Sequence, residues 1–233
     1  MDTSTGMAGV AVADRGAVLA EVTWSAGFNH TTQLLPAVQK VLQSAGIGID
    51  DVEAVIVAIG PGSYSGLRVG VSTAKGLAAS RGIPLVGVST LAVEASPFAR
   101  QDLPIRPLLD AGREEVAVGH YRAAEGRLDE VEPPYVTSVE LLCDSIRAPA
   151  LLCGEHLPTV QQAIVERLGD LAVIPPREEL VRQPGRLAEL GWRRLACGDS
   201  DDPATLQPVY LRAPSITKPR PAAAGPRQTR RGS

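Results

Sequence analysis

Residues 59–81 read IGPGSYSGLRVGVSTAKGLAASR. A continuous apolar run, Ala54 to Ile59 (AVIVAI), leads into this stretch, and helical spacing follows it from Leu67 to Arg81. An unbroken apolar run of strand length suits a strand covered on both faces, as in a parallel or mixed sheet flanked by helices. With a further strand at Ile83 to Val88, the order strand, loop, helix, strand reads as α/β. The loop itself, GPGSYSG, is the first candidate site. A helix start offers free N–H groups and the positive end of a dipole, and both attract anions. Gly60, Gly62 and Gly66 permit positive φ or a close backbone approach. Yet the loop misses the phosphate patterns. A Walker loop wants glycine where Ser65 or Leu67 stands, the dinucleotide fingerprint wants glycine at Ser65, and a nucleophile elbow wants serine at Tyr64. Two readings stay open. Gly60, Gly62, Ser63, Ser65, Gly66 and Arg68 form either a degenerate phosphate loop or an architectural turn that sets the packing of the next helix.

Outward from this unit, Ala8 to Val12 and Val18 to Trp24 are β-like runs joined by Asp14, Arg15 and Gly16, which predicts a hairpin. Leu34, Leu35, Val38, Val41, Leu42 and Ala45 then share a helical face, capped by Thr31 or Thr32 and ended by Gly46. Pro36 fits that helix only in its first turn. Ser89 or Thr90 caps a short helix to Phe98, and RQDLPIRP at 100–107 reads as a linker. The second half repeats the pattern more weakly. Strands are expected at Pro107–Asp110, Val116–Arg122 (entering a hairpin), Ala150–Cys153 and Leu171–Ile174, and helices at Ser138–Arg147, Thr159–Leu168 and Arg186–Ala196. From Pro214 the chain has four prolines, five basic residues and one large aliphatic residue, so it is expected to be a disordered basic tail.

The 233 residues are 44% hydrophobic with a mean hydropathy of +0.04, enough for one large domain or two small ones. No apolar run approaches the roughly 20 residues of a membrane span, and no secretory signal is visible. Cys143, Cys153 and Cys197 are odd in number and form no C-x-x-C pair, which predicts reduced core thiols of a cytosolic protein. The net charge of −3 hides an asymmetry: residues 214–233 carry +5, leaving the first 213 residues at −8. An acidic body argues against a large nucleic-acid surface on the fold itself.

Other reactive residues give little chemistry. A metal site on the helix of His30 wants a second histidine at i+4, where Leu34 stands, and His120 and His156 lie apart in a strand and a loop. Glu114 and Glu115 follow a turn and are expected to be solvated. Asp2 (MDTST) and Asp110 (LLDAGRE) each lie at a strand edge near a turn, where sugar kinases and related ATPases place an acid for metal-bound phosphate. The second half has no glycine-rich turn comparable to residues 60–66.

MDTST, HTTQLLP, IGPGSYSGLRVGVSTAKGLA, LLDAGREEV and QPVYLR occur in the order found in the TsaB (YeaZ) family, bacterial tRNA threonylcarbamoyladenosine biosynthesis proteins, which the chain resembles from about residue 2 to 213. The resemblance implies an actin-like fold of the sugar kinase, Hsp70 and actin superfamily, with mixed sheets flanked by helices. It implies an N-terminal, partner-binding lobe over 1–103 and a C-terminal lobe over 104–213. It also implies a non-catalytic scaffold that activates a paralogue, TsaD, which transfers threonylcarbamoyl to N6 of adenosine 37 in tRNAs reading codons that begin with A. A TsaE-like ATPase joins that complex, tRNA is met indirectly, and the chain has no metal or obligatory cofactor, with weak residual nucleotide binding left open. TsaD-like chains carry H-x-x-x-H on the helix of HTTQL, and Leu34 replaces the second histidine here. The competing expectation is an ATP-dependent kinase or other active enzyme of the same superfamily, with GPGSYSG as its phosphate loop.

The helices at 31–45 and 67–81 are the implied contact with the partner, through Val69, Thr73 and Leu77, and free copies are expected to form homodimers through the same face. Two departures from the family pattern stand out. Asn29 replaces a basic residue before the helix histidine, and Met1 abuts Asp2 where an apolar strand is usual, so the natural chain is expected to start a few residues upstream.

Overall fold

A computed structural model describes residues 1–27, 29–124 and 126–212; the basic segment 214–233 lies outside them. The hairpin forms as β1 (Met7–Asp14) and β2 (Ala17–Ser25), turned at Arg15 and Gly16 with positive φ. Helix α1 (His30–Ser44) begins before Thr31 and Thr32, with Asn29 at its cap and no side-chain cap bond. The early start places Pro36 beyond the first turn. Its side is exposed, so water can reach the carbonyl that lacks an intrahelical partner.

Strands β3 (Val55–Gly60) and β4 (Leu85–Ser89) pair in parallel around α2 (Tyr64–Arg81). Ser63 caps α2, so the helix starts three residues before the expected Leu67, and Gly82 at φ 64° ends it. Helix α3 (Thr90–Ala95) and a 3-10 turn to Phe98 follow. The linker expected at 100–107 ends early, because Ile105 is fully buried and opens β5 (Ile105–Gly112). Then come β6 (Glu115–Ala124), β7 (Arg127–Ser138), α4 (Val139–Ser145), β8 (Ala150–Cys153), α5 (Leu157–Leu168), β9 (Ala172–Val173) and α6 (Pro184–Ala196).

The second half forms one sheet in the order β7-β6-β5-β8-β9, with β5 antiparallel to β6 and parallel to β8. Residues 1–2 give the first half the same order. Asp2 exchanges two backbone bonds of 2.8 Å with Gly9 on β1, while Met1 donates to Ile56 O at 2.8 Å and accepts from Ala58 N at 3.1 Å on β3. The sequence β2-β1-(1–2)-β3-β4 is thus third, second, first, fourth, fifth strand, as in the other half. The two halves are lobes of one topology, and Asp2 and Asp110 lie on equivalent strands.

Packing does not follow chain order. Leu91, Ala95 and Phe98 of the first hundred residues join the core of the second sheet, with Leu108, Val118 and Leu152. Val93, on the opposite face of the helix, packs instead with Ala58, Val86 and Val88 of the first lobe, where Leu187 of α6 also lies. Helix α3 therefore sits between the lobes, and α6 returns from the second lobe to cover the first. Cys143 and Cys153 are core thiols, but Cys197, just past α6, is exposed rather than buried. No described helix is long and apolar enough to cross a membrane.

Candidate functional site

The loop after β3 is shaped by what lies against it. Residues Thr3 and Ser4 run directly over its backbone: Ser63 N donates to Ser4 O at 2.6 Å and Thr3 Oγ1 donates to Gly66 O at 2.7 Å. A Cβ on Gly62 would stand 2.1 Å from Ser4 O, and one on Gly66 2.1 Å from Thr3 O. These glycines are there for close approach, with neither at positive φ, whereas Gly60 has φ 115°. Ser63 Oγ accepts from Gly66 N at 3.3 Å as the helix cap. Two amides of the junction, Ser63 and Gly66, thus already have protein partners and are not free for an anion.

Between the lobes lies a cleft of about 530 Å³, lined by Thr5, Gly62, Ser63, Asp110, Glu155 and His156 among others. The structure brings only Gly62 and Ser63 of the six loop residues to this cleft. Gly60 and Gly66 are buried behind it, and Ser65 is exposed. Arg68 turns to the far side of α2, where it bonds Tyr64 OH at 2.7 Å beside Tyr210. Asp110 is exposed and accepts from Gly112 N at 2.8 Å. Glu114 is exposed as expected, but Glu115 pairs with Arg212.

Asp2 is engaged otherwise. Its Oδ1 accepts from Ser4 N at 2.9 Å and Ser4 Oγ at 2.6 Å. Its Oδ2 stands 2.8 Å from Arg182 Nε, an ion pair whose angle falls outside a hydrogen bond. Arg182 also meets Glu94 at 3.2 Å and Glu155 at 3.1 Å, and all but Glu155 are buried. Burial works against charge on Arg182, but the carboxylates of Asp2, Glu94 and Glu155 outweigh it, so its pKa is raised. Burial pushes Glu94 up to about 7, against the pull of Arg182. Little in the sequence warns of this cluster. Glu94 is a lone acid among apolar neighbours (LAVEAS), but Arg182 and Glu155 carry no motif.

His30 is buried and its Nε2 lies 2.8 Å from Thr5 O, while the position four on, Leu34, is 1% exposed in the core beneath α1. His120 pairs with Glu132 at 3.0 Å, and burial and Arg106 lower its pKa. His156 precedes α5 at the cleft wall. Among the described residues no three His, Cys, Asp or Glu side chains are grouped to hold a metal. With Asp2 held by Arg182 and His30 by a backbone carbonyl, the residues present do not fit a metal ion.

Of the expected partner-contact residues, Val69, Thr73 and Leu77 are all half-buried. Val69 packs on the cluster of Val10, Leu34 and Val41, and Leu77 on that of Val55, Val57 and Val71. The solvent-facing row of α2 runs instead through Ser65, Ser72, Gly76 and Ala79, with Leu35 of α1 55% exposed.

Two α/β lobes of repeated strand order around a cleft, with flanking helices, define an actin-like two-lobe protein. The family model for TsaD, tRNA N6-adenosine threonylcarbamoyltransferase, matches residues 18–152. The TsaB protein of Bacillus subtilis (strain 168), named for tRNA threonylcarbamoyladenosine biosynthesis, is 34% identical over 91% of this chain and 92% of its own. That of Escherichia coli (strain K12) is 35% identical over 54% of each. The solved structure of YeaZ from Pseudomonas aeruginosa superposes with a TM-score of 0.75 at 26% identity, covering 90% of this chain and 97% of that one. The chain belongs to the TsaB family, within the wider group that the transferase model describes.

Proposed function

We propose that this chain is a non-catalytic supporting subunit in the formation of N6-threonylcarbamoyladenosine at position 37 of tRNAs that read ANN codons. It acts in the cytoplasm by binding a TsaD-like transferase through α1 and α2, and meets a TsaE-like ATPase and tRNA through that complex. Free copies pair through the same two helices. The observation that carries this reading is the fate of the two residues an active relative would need. The carboxylate of Asp2 faces Arg182, and His30 is bonded to Thr5 O with Leu34 where a second metal ligand would stand. Neither is available to bind a metal or move a proton, so the reading gives the chain no cofactor of its own.

The test is reconstitution. The purified chain, a TsaD-like transferase, a TsaE-like ATPase, threonylcarbamoyl-AMP and an acceptor tRNA are combined, and the modified nucleoside is read by mass. The chain alone should give none, and leaving it out of the mixture should sharply reduce the yield. Phosphotransfer from Mg-ATP by the chain alone, lost in Asp2→Asn, would replace this reading by the kinase one.

A further inference from the structure

Three segments carry the chain between the lobes; residues 209–212 are one, bonded to Ile59 at Val209 and joining the second core at Leu211, and the other two meet at one side chain. One is α3, which packs on both sheets; the other is residues 181–183, which leave the second core at Leu180 and enter α6. Arg182 stands on the second crossing with its side chain 5% exposed. Its guanidinium reaches three groups of the first lobe: Asp2 Oδ2 and Thr5 Oγ1 at 2.8 Å each, and Met7 O at 2.9 Å. From the other crossing it meets Glu94 Oε1 at 3.2 Å, and from the second lobe Glu155 Oε2 at 3.1 Å. Thr5 Oγ1 also donates to Glu155 Oε2 at 2.7 Å, so this cleft-wall residue is held from two sides. One cation thus joins two of the three crossings and both lobes.

The charge balance favours the arrangement. Three carboxyl groups converge, and two of them, on Asp2 and Glu94, are buried with side chains 3% exposed; Glu94 gives up its proton only near pH 7, so Asp2 carries most of the buried negative charge. Buried charges of one sign need a partner of the other. In a metal-using protein that partner is a divalent ion brought by the ligand; here it is covalently part of the chain. An incoming metal would have to displace a guanidinium that already faces five oxygens. Among the described residues, the cleft beside it is lined by the carboxylates of Asp110 and Glu155 and by His156, with no lysine or arginine to balance a phosphate.

We propose that Arg182 is a resident cation that pins the two lobes in one closure, so that the cleft keeps its shape without a nucleotide or metal. A protein of this fold class that opens and closes on a ligand has here become a rigid body, which suits a subunit that presents a fixed surface.

Nitroxide labels on Ser44→Cys and Gln161→Cys, exposed positions on opposite lobes, report the closure in a Cys197→Ser background. The parent should give one narrow distance distribution, unchanged by Mg-ATP. Arg182→Met and Glu155→Ala should each broaden or shift it. If Arg182→Met does not fold, Glu155→Ala decides alone, since Glu155 is partly exposed at 31%. A parent distribution that is broad or moves with Mg-ATP overturns the proposal. So does a folded variant series in which the parental peak persists.

Discussion

Gly62 lies under the carbonyl of Ser4: the amide of the next residue, Ser63, donates to that oxygen at 2.6 Å, and a Cβ on Gly62 would stand 2.1 Å from it. Both contact groups are backbone, so a side chain at Gly62 can be accommodated only by moving the loop or the segment of residues 2–5. Gly62→Ala should lower stability by about 1–3 kcal/mol, and Gly62→Val by at least as much. Thermal and urea melts check this. The cause is crowding rather than backbone conformation, because φ at Gly62 is not positive. An unchanged melt with altered nucleotide affinity would favour the phosphate-loop reading of GPGSYSG.

That contact also marks what was legible in the sequence. Local pattern named the strand at 54–59, one residue ahead of the observed β3, the glycine loop and the helix after it, because apolar continuity and helical spacing are properties of neighbouring residues. It did not show why the glycines are needed, since their partners Thr3 and Ser4 are some sixty positions away. Strand β7 was missed for a related reason. Pro133 and Pro134 and three acids break any strand pattern, but β7 is the outer strand of its sheet, where missing amides and exposed charge are tolerated. The cluster at Arg182 joins positions 2, 94, 155 and 182, which no periodicity connects.

Glu94 should make stability fall as pH rises. The folded protein holds its proton up to about pH 7, whereas the unfolded carboxyl releases it near its ordinary value of 4.5. Folding therefore takes up a proton within that window, and the stability present below 4.5 is lost progressively as pH rises to about 7. The full effect is on the order of 3 kcal/mol at roughly 1.4 kcal/mol per unit. Arg182, Asp2 and Glu155 face the same group. Glu94→Gln should flatten the curve of unfolding free energy against pH between 4.5 and 7. A wild-type curve that rises over this window would contradict the burial of a protonated Glu94.

Asp201 should anchor the segment that follows α6. Its Oδ2 accepts from Gly87 N at 2.8 Å and from Arg194 at 3.1 Å, and its own amide donates to Leu85 O at 2.7 Å, so it sits against β4. Asp201→Ala leaves the Gly87 amide and part of the Arg194 charge without a partner. The expected cost is about 1–2 kcal/mol by denaturant melts. Hydrogen exchange at Gly87 should rise in the variant, and a silent variant would mean that water replaces the carboxylate at no cost.

The partner surface is best tested at Gly76. Val69 and Leu77 each pack on a core cluster, so a charge there would damage the fold and any loss of association would be ambiguous. Gly76 is exposed on α2, and a Cβ built on it meets nothing within 4 Å. It lies in the helix interior, where arginine is a better helix former than glycine by roughly 0.5–1 kcal/mol. Gly76→Arg should therefore leave the isolated chain as stable as the parent, or slightly more so. On the associated face it has the opposite effect. Small residues on this row allow close helix approach, at axial separations of roughly 8–10 Å, and an arginine would project into that space. The variant should lose binding to a TsaD-like transferase and self-association together, measured by analytical ultracentrifugation and pull-down, and should fail to support modification in the reconstituted mixture. A stable Gly76→Arg protein that retains both associations would move the interface away from α2.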